Sequence, residues 1–145
     1  GERKIGVLVD TMGRVNYGEN MLDRKGISDI YLGIQRLMGY DVWTLPLDNL
    51  DKLKYSSSVK KDEPVFLKGS FKTDSKADCF VHLDGFNRGC VYINGFNLGR
   101  FWKVGPQKSL YIPGTLLKDE NEIIVFNIGG YSKPTVSITD KHNLG

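Results

Sequence analysis

The chain has 145 residues, enough for one domain whose core needs no disulfide or metal staple. Hydrophobic residues make up 40% and charged residues 26%, the ordinary balance of a soluble globular protein. A net charge of +3 with no basic block longer than Lys60-Lys61 leaves no footprint for nucleic acid, and no apolar run approaches the length of a membrane span.

The chain opens Gly-Glu-Arg-Lys directly into strand-like sequence, without an initiator Met, a signal peptide or a transit segment. The expectation is a piece of a longer protein. Ile5, Val7 and Val9 alternate with Lys4, Gly6 and Asp10, which predicts a first strand with one face inward. Gly13, Asn16 and Gly18 then break it in a loop carrying Arg14 and Tyr17. Exposed Arg and Tyr are good interface anchors, so this loop either docks on a neighbouring domain or caps its own sandwich. Residues 27–47 admit two readings. Ile30, Ile34, Leu37 and Met38 fall at helical spacing, yet Gly33 and Gly39 interrupt them and Tyr40 to Leu45 is strong strand sequence ending at Pro46.

Residues 51–64 are polar and lysine-rich, a surface loop with a short helical turn near Leu50–Leu53. Val65 to Leu67 and Ser70 to Lys72 return to strand, interrupted by Gly69. Cys79, Val81 and Leu83 share one face of the next strand, and Val91 and Ile93 continue the pattern. A hairpin turning near Phe86 would set Cys79 opposite Cys90; the alternative is two buried thiols in a β core. The redox compartment, and with it the localisation, is not readable from two cysteines.

The centre of the chain is Asn94-Gly95, flanked by Cys90 to Ile93 and by Phe96 to Leu98. Asn-Gly between two β-rich runs predicts a type I′ hairpin, because both central residues must take positive φ. Phe101 and Trp102 follow where the strand gives way to Gly105-Pro106, and alternation with the Gly99 bend predicts Phe101 inward and Trp102 outward. Leu110 to Ile112 ends at Pro113, Asp119 to Asn121 reads as a turn, and Glu122 to Ile128 reads as a strand buried on both sides. Val136 and Ile138 mark a last half-exposed strand. So many short strands between Gly, Pro, Asn and Asp predict an all-β, two-sheet β-sandwich, taken as a single domain over residues 1–145.

The run from Val91 to Trp102 followed by Gly105-Pro106-Gln107 and Leu110 to Pro113 resembles the C-terminal β-sandwich of glycoside hydrolase family 35 β-galactosidases. Met12 to Gly18, with Gly26-Ile27 after it, and Asn121 to Phe126 are similar to further hallmarks of that family in the same order. Where the family usually has Trp, this chain has Phe86. The resemblance implies a jelly-roll, galactose-binding-domain-like fold, and two strands joined by a tight turn in residues 27–47. It also implies a catalytic barrel of the same parent chain as partner.

A retaining glycosidase needs two carboxylates about 5 Å apart. The resemblance implies that the barrel supplies them, and here Glu2, Glu19, Glu63, Glu120 and Glu122 are scattered, so no catalytic residue is expected in this stretch. No cofactor is expected, and His82 and His142 stand apart from other metal-ligand types, so no metal site is expected either. The expected function is a non-catalytic domain that supports the barrel in hydrolysing terminal β-galactosides. The alternative is an independent carbohydrate-binding module for galactosides. For either role the candidate residues are Arg14, Tyr17, Phe86, Asn97, Arg100, Trp102 and Gln107, aromatic faces with polar neighbours.

Overall fold

A computed structural model describes residues 3–13, 15–58, 60 and 62–145. Where one domain over 1–145 is expected, the chain divides into two compact units, Gly1–Pro46 and Leu47–Gly145. The division follows the ladders: every long-range strand pairing lies within the second unit.

The first unit holds a 3₁₀ turn, Glu19–Leu22, and two short strands, β1 (Tyr31–Leu32) and β2 (Gln35–Arg36). These two pair antiparallel across Gly33-Ile34, with Gly33 at a φ of 63°. Residues 27–47 therefore contain a tight hairpin and no helix. Leu37 N–H donates to the Ile30 carbonyl at 2.9 Å, and Arg36 pairs with Asp29. The longer strands expected at residues 5–9 and 40–45 are not formed. Alternation decides which face a strand would show; it does not supply the neighbour that makes it a strand.

The second unit is a two-sheet jelly-roll sandwich. Its strands are β3 (Val65–Lys72), β4 (Cys79–Asp84), β5 (Arg88–Ile93), β6 (Phe96–Trp102), β7 (Ser109–Ile112), β8 (Glu120–Ile128) and β9 (Thr135–Thr139). One sheet runs β3-β8-β5-β6 and the other β7-β4-β9, with all neighbours antiparallel. From β6 onward each successive strand changes sheet, which closes the core from both sides. Val81, Leu83, Leu110 and Ile112 of the smaller sheet face Val91, Ile93, Ile123 and Val125 of the larger. Full burial of each such aliphatic contributes about 1.5–3 kcal/mol.

Two local expectations change. Gly69 does not interrupt β3; it lies within the strand, and a Cβ there would make only an ordinary 3.6 Å contact with Ile123 Cγ2. No hairpin joins β4 to β5, which belong to different sheets, so Cys79 and Cys90 are not set opposite each other and both are thiols. The link between them is Gly85 to Asn87, where Gly85 has a φ of 78° and its carbonyl accepts from Ser132 N–H at 2.9 Å. The short 3₁₀ turn Leu50–Lys52 forms as the sequence predicts.

Candidate functional site

The central hairpin forms with the turn Asn94-Gly95: Ile93 pairs with Phe96, and φ is 51° at Asn94 and 83° at Gly95. The Asn94 side chain does more than tolerate the turn. Its Nδ2 donates to the Leu116 carbonyl at 2.7 Å and to Asn121 Oδ1 at 2.9 Å, while its Oδ1 accepts from Glu122 N–H at 2.9 Å. Asn121, expected in a turn, is the buried second residue of β8. It holds Lys118 from both sides, accepting from its N–H at 2.8 Å and donating to its carbonyl at 2.7 Å. Fully buried Asn127 does the equivalent at the far end of β8, binding Asn87 N–H and the Gly129 carbonyl. Each of these two amides is buried with its own polar atoms satisfied by backbone groups of neighbouring segments.

Along β6 the register shifts by one residue between Val91 and Tyr92, so that Leu98 and Gly99 together face Val91. Gly99 takes a φ of 119°, and its N–H donates to Asn97 Oδ1 at 2.9 Å. The bulge has a consequence for the site. Strict alternation puts Asn97 on the opposite face from Arg100 and Trp102. With the extra residue, Asn97, Arg100 and Trp102 pair with Tyr92, Cys90 and Arg88, which share one face of β5. All three candidates therefore lie on the outer face of an edge strand. Phe101 is buried and Trp102 is 38% exposed, in and out as expected.

The other candidates scatter. Gln107 is tied beside the strand end, its carbonyl accepting from Trp102 N–H at 3.2 Å, but it lines a different groove. Phe86 is corrected from a surface role: it is buried in the core, edge-on to Phe101 with ring centroids 6.1 Å apart. Tyr17 is 90% exposed in the first unit, and Arg14 lies outside the described residues.

The groove lined by Gln107 contains aromatics the sequence reading does not single out. Phe80 meets Tyr111 at 5.7 Å and His142 at 5.8 Å between ring centroids, and Phe96 and Leu98 also line the groove. A signal was available. Phe80 and Tyr111 alternate with the core residues Val81 and Leu110, so period two already turns them outward. The Tyr111 hydroxyl donates to the Asp78 carboxylate, which raises the phenol and, together with Gly114 N–H at 2.8 Å, lowers Asp78 below its usual range.

That electrostatics is the reverse of what a general acid requires, which is a carboxyl held protonated. Glu63 is engaged by Lys60 at 2.9 Å and Glu122 by Lys68 at 2.5 Å. Among the described residues no group of three or more His, Cys, Asp or Glu is placed to hold a metal, and no helix is long and apolar enough to cross a membrane.

Residues 64–122 match the family model described as the galactose-binding domain of β-galactosidase, and residues 1–48 match its first all-beta domain. The chain is 40% identical to β-galactosidase-1-like protein 2 of Homo sapiens, an alignment covering 96% of this chain and 23% of that protein. It is 32% identical to a β-galactosidase of Bos taurus, over 93% of this chain and 26% of the relative. It is 34% identical to a β-galactosidase of Xanthomonas manihotis, over 77% and 19% respectively. The chain thus spans about a quarter of the length of the relatives it matches.

Proposed function

We propose a supporting role for this chain, which belongs to the β-galactosidase family as its β-domains: it packs on the catalytic barrel of its parent protein and shapes the surroundings of the site that hydrolyses terminal β-galactosides. The observation that carries this reading is the pairing of two β-domain matches with a span of about a quarter of the relatives' length. The arrangement on β6 supports it. An edge strand that presents a half-exposed Trp beside Arg and Asn has the composition of an interface anchor, because Trp and Arg carry much of the energy where surfaces meet. Galactosides are substrates of the parent in this reading, and the sandwich itself need not hold them.

The test uses both forms of the protein. The isolated chain should not turn over a chromogenic β-galactoside. In the parent enzyme Trp102→Ala should cost about 2 kcal/mol, seen as a lower melting temperature or reduced activity, as expected for a truncated interface anchor. The same change in the isolated chain should leave the sandwich folded. Saturable binding of lactose by the isolated chain, abolished by Trp102→Ala, would turn the reading into that of a sugar-binding module.

A further inference from the structure

Asn94-Gly95 is the only Asn-Gly step in the sequence, and such a step is chemically fragile. The glycine nitrogen can attack the asparagine Cγ, because no Cβ hinders its approach. Here the attack would close a succinimide ring between Asn94 Cγ and Gly95 N, while Nδ2 leaves as ammonia with the Gly95 amide proton. Water would then open the ring at either carbonyl, giving aspartate or, with the backbone rerouted through the side chain, isoaspartate. Gly95 is exposed, and a Cβ on it would meet nothing within 4 Å, so neither water nor space is lacking.

What opposes the reaction is the grip on the Asn94 amide. Both Nδ2 protons are used, on the Leu116 carbonyl and Asn121 Oδ1, and its Oδ1 accepts from Glu122 N–H. The Asn94 backbone N–H is tied as well, to the Glu122 carbonyl at 3.0 Å. Every side-chain partner lies in residues 116–122, across the hairpin, and none lies in the turn itself. Cγ cannot swing onto Gly95 N until those bonds are released. The same partners cannot accept the product. Losing Nδ2 sets a carboxylate oxygen against the Leu116 carbonyl and Asn121 Oδ1, acceptor against acceptor. Asn121 cannot turn its amide round to help, because Lys118 fixes it through both its N–H and its carbonyl.

We propose that Asn94-Gly95 is a deamidation site latched by the fold: silent while the hairpin is closed, reactive once it opens, and unable to close again after the amide is lost. A local opening that would otherwise reverse is thereby turned into a one-way covalent change. The inference concerns the sandwich alone and does not depend on how a parent enzyme uses it.

The test follows the tryptic peptide spanning residues 89–100 by mass spectrometry while the chain is held at mildly alkaline pH. Conversion at position 94 should be at least about tenfold slower in the folded chain than in guanidinium chloride. Asn121→Ala, which removes one Nδ2 partner, should raise the folded rate several-fold. Val81→Ala, which weakens the sandwich from the other sheet, should raise it less. Asn94→Asp should melt below the wild type near neutral pH, and the gap should narrow in acid, where the protonated carboxyl regains a donor. Three outcomes overturn the proposal. Equal conversion in the folded and denatured chain means that the amide is not protected. Equal acceleration by Asn121→Ala and Val81→Ala assigns the protection to global stability and not to the grip on Asn94. An Asn94→Asp chain that refolds to the wild-type melting temperature removes the one-way step. If Asn121→Ala does not fold, the ratio of folded to denatured rates and Asn94→Asp decide alone.

Discussion

Residues 40–45 and β8 make an instructive pair. Both are apolar on both faces, and both read as strands. β8 has β3 on one side and β5 on the other, and from Ile123 to Asn127 it is buried throughout. Residues 40–45 have the same kind of sequence and no ladder, and Trp43 stands in solvent. Strand propensity measures how well a side chain fits a pleated, half-buried surface, so it is realised only where neighbours provide that surface.

The contrast can be broken most severely at glycines. A Cβ on Gly89 would lie 1.7 Å from the Phe126 carbonyl oxygen, whereas one on Gly6 would meet nothing within 4 Å. Gly89→Ala should abolish the cooperative thermal transition, a loss of about 4 kcal/mol or more because backbone must move. Gly6→Ala should leave the circular-dichroism melt of the isolated chain where it was. If both variants melt like the wild type, the close approach of β5 to β8 is wrong.

A smaller effect is expected at Asn121, which ties Asn94 and Lys118 to the start of β8. Asn121→Ala should cost about 2 kcal/mol by removing the hydrogen bonds to Lys118 and Asn94 from a buried position, read from chemical denaturation. Asn20→Ala, in the 3₁₀ turn of the first unit where no residue is buried, should cost nothing measurable.

The smallest effect sharpens the contrast within the sandwich itself. Asp78 is held below its ordinary value of 3.8 by the Tyr111 hydroxyl and Gly114 N–H. Its ionised form therefore adds stability above that pH, and the gain is lost as pH falls through the lowered folded value. Asp78→Asn should melt below the wild type near neutral pH, and the gap should close in acid. A gap independent of pH would remove the carboxylate from the account.

Much of the sandwich was legible because its signals are local. Asn94-Gly95 specified a two-residue turn through backbone φ alone, and alternation placed Phe101 inside and Trp102 outside. What was not legible depends on partners distant in sequence. Cys79 and Val81 show which face β4 buries, but nothing in them says that β4 pairs with β7 and β9 and not with β5. Asn121 looked like a turn residue because Asn favours turns, and its burial follows from bonds to Asn94, 27 positions away. Phe86 looked available for a ligand because aromatics serve both purposes; the neighbour that decides is Phe101. The grouping of Asn97 with Arg100 and Trp102 was hidden for a different reason, since it depends on one residue of slack in the register.

That slack means the β6 surface is encoded by length as well as by identity. Substitutions at Asn97, Arg100 or Trp102 change what the face displays. A one-codon deletion at Leu98 would remove the slack and leave Tyr92 opposite Asn97, Val91 opposite Gly99 and Cys90 opposite Arg100, so plain alternation alone would keep the three on one face. Relatives that use this face should therefore carry either this bulge or a strand one residue shorter between Tyr92 and Trp102, and not an intermediate register.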